Sequence, residues 1–235
     1  MTAPIVTRVG AVDVIRDDLY PGGTKARFLA AVCRAHAEVV YASPAQGGAQ
    51  TALAHAARAA GSKATIFVPR RAHPHPRALE AKAAGAVVMQ VAPGYLTVVE
   101  ARARAYCAAH GAYLIPFGAD IPEAAEVISA AALAAPVGEP DEVWCAAGSG
   151  VLMRALARAW PGARRHAVQI GRTLTPEDVA GAEIHIWPRG FDTHGPAAPF
   201  PADPHYDAKA WAVCAARHGT GRVVFWNVTG PAMAH

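Results

Sequence analysis

The chain has 235 residues, 53% of them apolar and 17% charged, with a formal net charge of +4. That length holds one large domain or two smaller lobes, and the composition is that of an ordinary globular protein with alanine as helix filler, which excludes a disordered chain. No apolar run approaches the length of a membrane-spanning helix, and the start MTAPIVTRVGAVDV lacks the basic-then-apolar layout of a signal peptide, so a cytoplasmic protein with no membrane partner is expected.

Along the chain, short β-branched or aromatic runs alternate with alanine-rich helical stretches. The runs predict strands over Val12–Ile15, Glu38–Ser43, Ala64–Pro69, Ala86–Ala92, Ala112–Phe117, Glu142–Ala147, His166–Gly171, Glu183–Trp187 and Arg222–Val228. Helices are predicted over Thr24–His36, Gln50–Ala60, Pro76–Ala84, Thr97–His110, Ile121–Ala134, Val151–Trp160 and Tyr206–Arg217. Such alternation implies an α/β fold of mostly parallel sheets with helices on both faces. Nine strands are many for one small sheet, so two lobes are expected, with the chain returning near Phe117–Val127. This places residues 1–42 and 118–235 in a larger lobe and 43–117 in a smaller one.

Cys33, Cys107, Cys145 and Cys214 are scattered, with no CxxC pair, and read as small core residues. His73 and His75 have no acidic or thiol companion nearby in the Pro-rich stretch PRRAHPHPR, and no metal ligand set is read from the sequence. The basic clusters at Pro69–Arg77 and Gly162–His166 are compatible with solvated loops and permit, without requiring, a nucleic-acid partner.

Ligands of open α/β sheets gather where strands end and helices begin. Two such turns are glycine-rich: SPAQGGAQ (Ser43–Gln50), and AAGSGV (Ala146–Val151), whose serine hydroxyl adds a donor to the backbone amides of a phosphate cup. The second is not a dinucleotide fingerprint, because Met153 stands where the third glycine belongs, and no Walker lysine is present. A third stretch, RDDLYPGGTKARFL (Arg16–Leu29), sets a charged cluster and a tight turn before a single lysine that opens a helix.

RDDLYPGGTKARFL resembles the segment RDDL…GGNK.RKL of the fold type II pyridoxal-phosphate enzymes, the tryptophan synthase β-like superfamily, nearest the branch containing D-cysteine desulfhydrase and 1-aminocyclopropane-1-carboxylate deaminase. SPAQGGAQ is similar to the family's substrate-carboxylate loop, AAGSG to its phosphate cup, and YDAKAWAVCAARHGTGRVVFWNVTG to its C-terminal Y.GKA…G..VLF.HTGG. The resemblance implies a two-lobed fold and pyridoxal 5′-phosphate held as a Schiff base on Lys25. It implies a phosphate cup of Ala147, Gly148, Ser149, Gly150 and Val151, and Thr229 at the pyridine nitrogen. It further implies Tyr206 as an acid or substrate contact, with Ser43, Gln46, Gly47, Gly48, Ala49 and Gln50 as the substrate loop. A homodimer acting on an amino acid is expected.

Three departures from the family pattern stand out. The asparagine of the substrate loop falls on Gly48, leaving Gln46 or Gln50 to replace its contact; the asparagine before the lysine is Thr24; and the chain is shortened, mainly in the Pro-rich run before Tyr206. The leading expectation is a lyase acting at the amino-acid Cα by elimination, deamination or decarboxylation. A second is a phage-type decarboxylase or lyase of an amino acid attached to a large carrier, such as hypermodified thymidine in DNA. A third is a non-catalytic relative that binds a phosphate ligand.

Overall fold

The computed structural model describes residues 2–233. In chain order the elements are β1 (Val6–Val9), β2 (Val12–Arg16), α1 (Gly23–Ala35), β3 (Glu38–Ala42), α2 (Ala49–Ala60), β4 (Lys63–Pro69), α3 (Pro76–Ala83), β5 (Val87–Val91), α4 (Leu96–His110), β6 (Tyr113–Ile115), α5 (Pro122–Ala134), β7 (Glu142–Ala147), α6 (Val151–Ala159), β8 (Arg164–Gln169), β9 (Glu183–Ile186), α7 (Asp207–Arg217) and β10 (Val223–Asn227). Each strand and helix expected from the sequence is present, with ends that agree within two residues. The added strand is β1. Its Val-Thr-Arg-Val run is only partly buried, and it joins β2 as an antiparallel hairpin through Gly10, whose φ of 57° a side chain rarely adopts. No helix among the described residues is long and apolar enough to cross a membrane.

The chain divides into two compact units, one built from the residues up to Thr24 together with Ala124–Pro231, the other from Lys25–Glu123 and the C-terminal end. The first division falls earlier in the chain than residue 42, because β3 pairs with β4 and β6 and belongs to their sheet.

The first unit holds a six-stranded sheet in the order β1-β2-β10-β7-β8-β9, parallel throughout except for β1. Its central strands are apolar on both faces, as a covered parallel sheet requires. On one face Val14, Trp144, Val168 and Phe225 pack with Trp211 of α7, the Trp211 ring standing edge-on to Phe225 at 5.4 Å. The Pro-rich run before Tyr206 has no regular structure over its first part, yet it contributes Phe200, 4.9 Å from Trp211, to this core. Each such aromatic or branched side chain removed from water contributes about 1.5–3 kcal/mol.

The second unit holds a four-stranded, wholly parallel sheet in the order β5-β4-β3-β6. Val40, Phe67, Val91 and Val99 form its core against α4. Helices α2 and α4 end at Gly61 and Gly111, which take the left-handed conformation that favours glycine.

Cys33, Cys145 and Cys214 are buried free thiols and Cys107 is half-buried, which agrees with their reading as core residues. Burial pushes the Cys145 and Cys214 thiols far up, so neither is a ready nucleophile.

Candidate functional site

In the first unit, three segments leave the same edge of one sheet. Arg16 at the end of β2 is opposite Asn227 at the end of β10, and Trp226 of β10 is opposite Cys145 of β7. The chain therefore departs from neighbouring parallel strands at Asp17, Val228 and Gly148, the end of an α/β sheet where ligands bind. The first of these segments leads to Lys25, the second is Val228–Thr229, and the third is the glycine-rich cup.

The cup is formed by Gly148, Ser149 and Gly150 ahead of α6. Gly150 caps the helix at φ 81°, and no side chain makes a capping hydrogen bond there. A Cβ on Gly150 would lie 1.9 Å from the Asp178 carbonyl oxygen, so only glycine lets the turn pass this closely. Two arginines that the sequence reading left out fix the cup from behind. Arg172 donates to the Gly148 carbonyl (3.1 Å), and Arg154 donates to the carbonyls of Ser149 (3.3 Å) and Asp178 (2.9 Å). Arg172 also pairs with Asp178, whose carboxyl is held down chiefly by the Thr175 amide. With its carbonyls drawn toward arginines and the positive end of α6 carrying no side-chain cap, the turn has the donor set of an anion site of phosphate size. A signal existed in the sequence: Arg154 lies one helical turn after Gly150.

Tyr206 stands at the cap position of α7, and its amide donates to Asp203 Oδ1 (3.2 Å). Its ring edge is 3.8 Å from where a Gly148 Cβ would lie, so the structure brings Tyr206 and the cup together. Thr229 is half-buried, its Oγ1 3.4 Å from where a Cβ on Gly23 would lie, at the start of α1. The amides of Val228 and Thr229 donate to the Asp207 carboxylate at 3.2 and 3.3 Å. Burial pushes the Asp207 carboxyl well above the usual range against the pull of these two amides, and Asp203 and Asp18 add to the rise.

Thr24 is 2% exposed and belongs to a buried hydrogen-bond triad. Its hydroxyl donates to Asp17 Oδ2 (2.8 Å), and the Trp226 indole N–H donates to Thr24 Oγ1 (2.9 Å) and to Asp17 Oδ2 (3.2 Å). The triad ties the start of α1 to the end of β10 and thereby fixes the residue before Lys25. Asp17→Ala removes an acceptor from two buried donors, each loss worth about 1–3 kcal/mol, so a fall of about 3 kcal/mol in unfolding free energy is expected by urea titration. A loss below about 1 kcal/mol would show that the triad does not hold this end of the helix.

In the second unit Lys25 is half-buried on α1, and its Nζ donates to the Gly118 carbonyl at 3.3 Å. The Gly118 amide in turn donates to the hydroxyl of buried Tyr41 (3.3 Å), whose pKa burial pushes up to about 12. The segment is held in an uncommon conformation, with Gly118 at φ 80° and buried Ala119 at φ 56°. Backbone of this kind concentrates at functional sites. Neither Tyr41 nor Gly118 was singled out by the sequence, because their pairing is made only by the fold.

The loop Ser43–Gln50 is tied to itself. The Ser43 hydroxyl donates to the Pro44 carbonyl (2.9 Å), the Gly47 amide to the same carbonyl (3.1 Å), and a Cβ on Gly47 would lie 2.4 Å from Ser43 Oγ. Gln50 is fully buried, and its amide nitrogen donates to the carbonyls of Pro44 (3.0 Å) and Ala45 (2.9 Å). The donor end of Gln50 thus staples the loop, while its Oε1 is buried with no hydrogen-bond partner. Gln46, Gly47 and Gly48 are half-buried and Ala49 is buried, with Gly48 at the cap of α2, where no side chain caps the helix.

The basic stretches are less available than the sequence suggests. Arg77 is 3% exposed and pairs with Glu80 at 3.2 Å; Arg164 pairs with Glu142; Arg165 donates to the carbonyls of Pro161 and Ala163. Arg70 and Arg71 are exposed. His75 accepts from the Arg77 amide through Nδ1 and caps α3.

Residues 16–185 match the family described as "Pyridoxal-phosphate dependent enzyme". No curated protein matches the chain closely enough to serve as a relative. Among solved structures, an ACC deaminase homologue aligns over 98% of this chain and 90% of its own, at TM-score 0.81 and 18% identity. A T.th. threonine deaminase aligns over 100% of this chain and 93% of its own, at 0.68 and 16%. An O-ureido-L-serine synthase aligns over 97% and 88%, at 0.70 and 16%. At these identities the likeness is one of fold.

Proposed function

This chain belongs to the pyridoxal-phosphate-dependent enzyme family, and on that premise we propose that it is a lyase acting at the Cα of a free amino acid, with Lys25 holding the cofactor. The observation that carries the reading is the shared sheet edge: the cup at the end of β7 and Thr229 just beyond β10 leave neighbouring strands, and the segment after β2 delivers the chain to Lys25. The donor set of the cup suits the cofactor phosphate, held by the amides of Gly148 to Val151 and the end of α6. When bound, the cofactor joins a lysine amine through its aldehyde and draws electron density from the bonds at the substrate Cα.

In this reading the Lys25 amine anchors the cofactor and then takes or returns the proton at Cα. The glycine-rich turn of Ser43–Gln50, stapled by Gln50, offers backbone N–H groups to the substrate carboxylate. Tyr206, beside the cup, contacts the substrate or donates a proton. Thr229 gives the pyridine nitrogen a neutral hydroxyl partner, which does not force that nitrogen to stay protonated and so favours substrates with a good leaving group. Thr229→Val keeps the shape and removes the hydroxyl, and a tenfold or greater fall in kcat/KM is expected, the equivalent of about 1–3 kcal/mol. Unchanged turnover and cofactor spectrum in this variant would take Thr229 out of the site.

The test of the reading is an absorbance spectrum of the purified protein followed by a substrate panel. A band at the blue edge of the visible is expected. So is release of ammonia and a 2-oxo acid from amino acids bearing a β-hydroxyl, β-thiol or cyclopropane group, in either configuration. A colourless protein that gains no such band on adding the cofactor would favour the non-catalytic reading.

A carrier-linked substrate such as modified DNA is the second reading, resting on the exposed Arg70 and Arg71. The ties made by Arg77, Arg164 and Arg165 weigh against it. A polyphosphate carrier gives a log–log salt slope of about −0.9 per phosphate contacted, whereas a free amino acid gives a shallow one. A shallow slope is expected, with turnover unchanged in the Arg70→Ala, Arg71→Ala double variant. A steep slope abolished by that variant would replace the free substrate with a nucleic-acid-linked one.

A further inference from the structure

Away from the cup, strands β8 and β9 of the first unit place two histidines and a glutamate together. In this parallel pair His166 is opposite Glu183 and Val168 is opposite His185. The two-residue period of a strand puts His166, Glu183 and His185 on one face of the sheet. His166 Nδ1 is 3.1 Å from His185 Nε2, one Glu183 oxygen is 3.4 Å from His166 Nδ1, and the other is 3.6 Å from His185 Nε2.

We propose that His166, Glu183 and His185 form a binding site for a divalent transition-metal ion of zinc's character, pinning the edge strand β9 to β8. Zinc bonds to imidazole nitrogen and carboxylate oxygen of roughly 2.0–2.2 Å give a tetrahedron with edges of about 3.3–3.6 Å. The two ring nitrogens already stand near that separation, and the carboxylate brackets them, an oxygen toward each ring. Two nitrogens and a carboxylate are a ligand set that zinc accepts, with a fourth position for water.

The surroundings supply rigidity. The imidazoles of His166 and His185 are 8% and 6% exposed, and both stack on the buried Trp144 indole, with centroids 4.0 and 4.8 Å away. The rings therefore keep their orientation with or without an ion, which is the preorganisation a metal site needs. Glu183 has a side chain 63% exposed, so the third ligand sits on the solvent side and gives the ion a way in. The His166 Nε2 atom is buried with no hydrogen-bond partner, so the ring's polar contacts in this structure come through Nδ1 alone. One contact opposes the ion. The exposed Arg217 guanidinium donates to His185 Nδ1 at 3.4 Å, which favours a proton on the nitrogen that would bind metal. The ion requires that arginine to turn away into solvent, and its removal therefore favours binding.

The test uses the purified 235-residue chain and two probes, Zn2+ by competition with a chromophoric chelator and Co2+ by the intensity of its visible ligand-field bands. One Zn2+ per chain at micromolar concentration or below, with Co2+ bands of tetrahedral strength, is the expected result. Glu183→Gln should weaken binding tenfold or more, His185→Gln should abolish it, and Arg217→Gln should tighten it. Thermal midpoint should rise with Zn2+ in the natural chain and stay flat in Glu183→Gln, an exposed replacement that leaves folding intact even where His185→Gln does not. Binding weaker than millimolar overturns the proposal. Equal affinity in the natural chain and Glu183→Gln also overturns it and moves the ion to other histidines.

Discussion

Lys25→Ala is expected to abolish turnover, by at least about 10³-fold, and with it the visible band and any cofactor trapped by borohydride. The variant should fold, because alanine is the better helix former at a half-buried position in the first turn of α1, and water can meet the Gly118 carbonyl that the amine leaves. An unchanged circular dichroism spectrum and thermal midpoint would separate lost chemistry from lost structure. Mapping the trapped cofactor is decisive, since other lysines are available. Lys63 is exposed and pairs with Glu38 at 3.1 Å, and Lys209 is buried against the Phe191 carbonyl at 2.7 Å. A trapped adduct on either of these, or on Lys82, would overturn the assignment of Lys25.

Gly150→Ala should have the second largest effect, concentrated on cofactor affinity. A left-handed φ costs an alanine roughly 1–2 kcal/mol, and its Cβ would lie 1.9 Å from the Asp178 carbonyl oxygen, so the turn or the segment after β8 must move. Either movement disturbs the amides at the start of α6 and the Arg154 bonds that hold the cup from both sides. Cofactor titration should show affinity reduced by tenfold or more. Gly61→Ala makes the comparison: it has the same left-handed strain at the end of α2 but meets nothing within 4 Å, and should leave the affinity unchanged. Equal effects from the two substitutions would mean that general destabilisation, and not the cup, governs binding.

The sequence by itself determined the order and type of the elements and the position of the cup. Those signals are local: a period of two or of 3.6 in apolar residues, glycine where a turn requires it, a lysine after Gly-Gly. Edge strand β1 escaped because half-exposed Val-Thr-Arg-Val has no buried face to set a pattern. What only the tertiary structure decided is which distant residues meet. The insertion of β10 between β2 and β7 brings Trp226 to Thr24 across 202 positions, and the fold brings the Gly118 carbonyl to Lys25 across 93. The same holds for the burial of Arg77 against Glu80, which turned a basic cluster into a packed ion pair, and for His166 meeting His185 across a strand pair. The reason is physical. Periodicity reports which face of an element is buried, whereas hydrogen bonds and ion pairs between elements depend on strand order and register, which are set by the packing of the whole sheet.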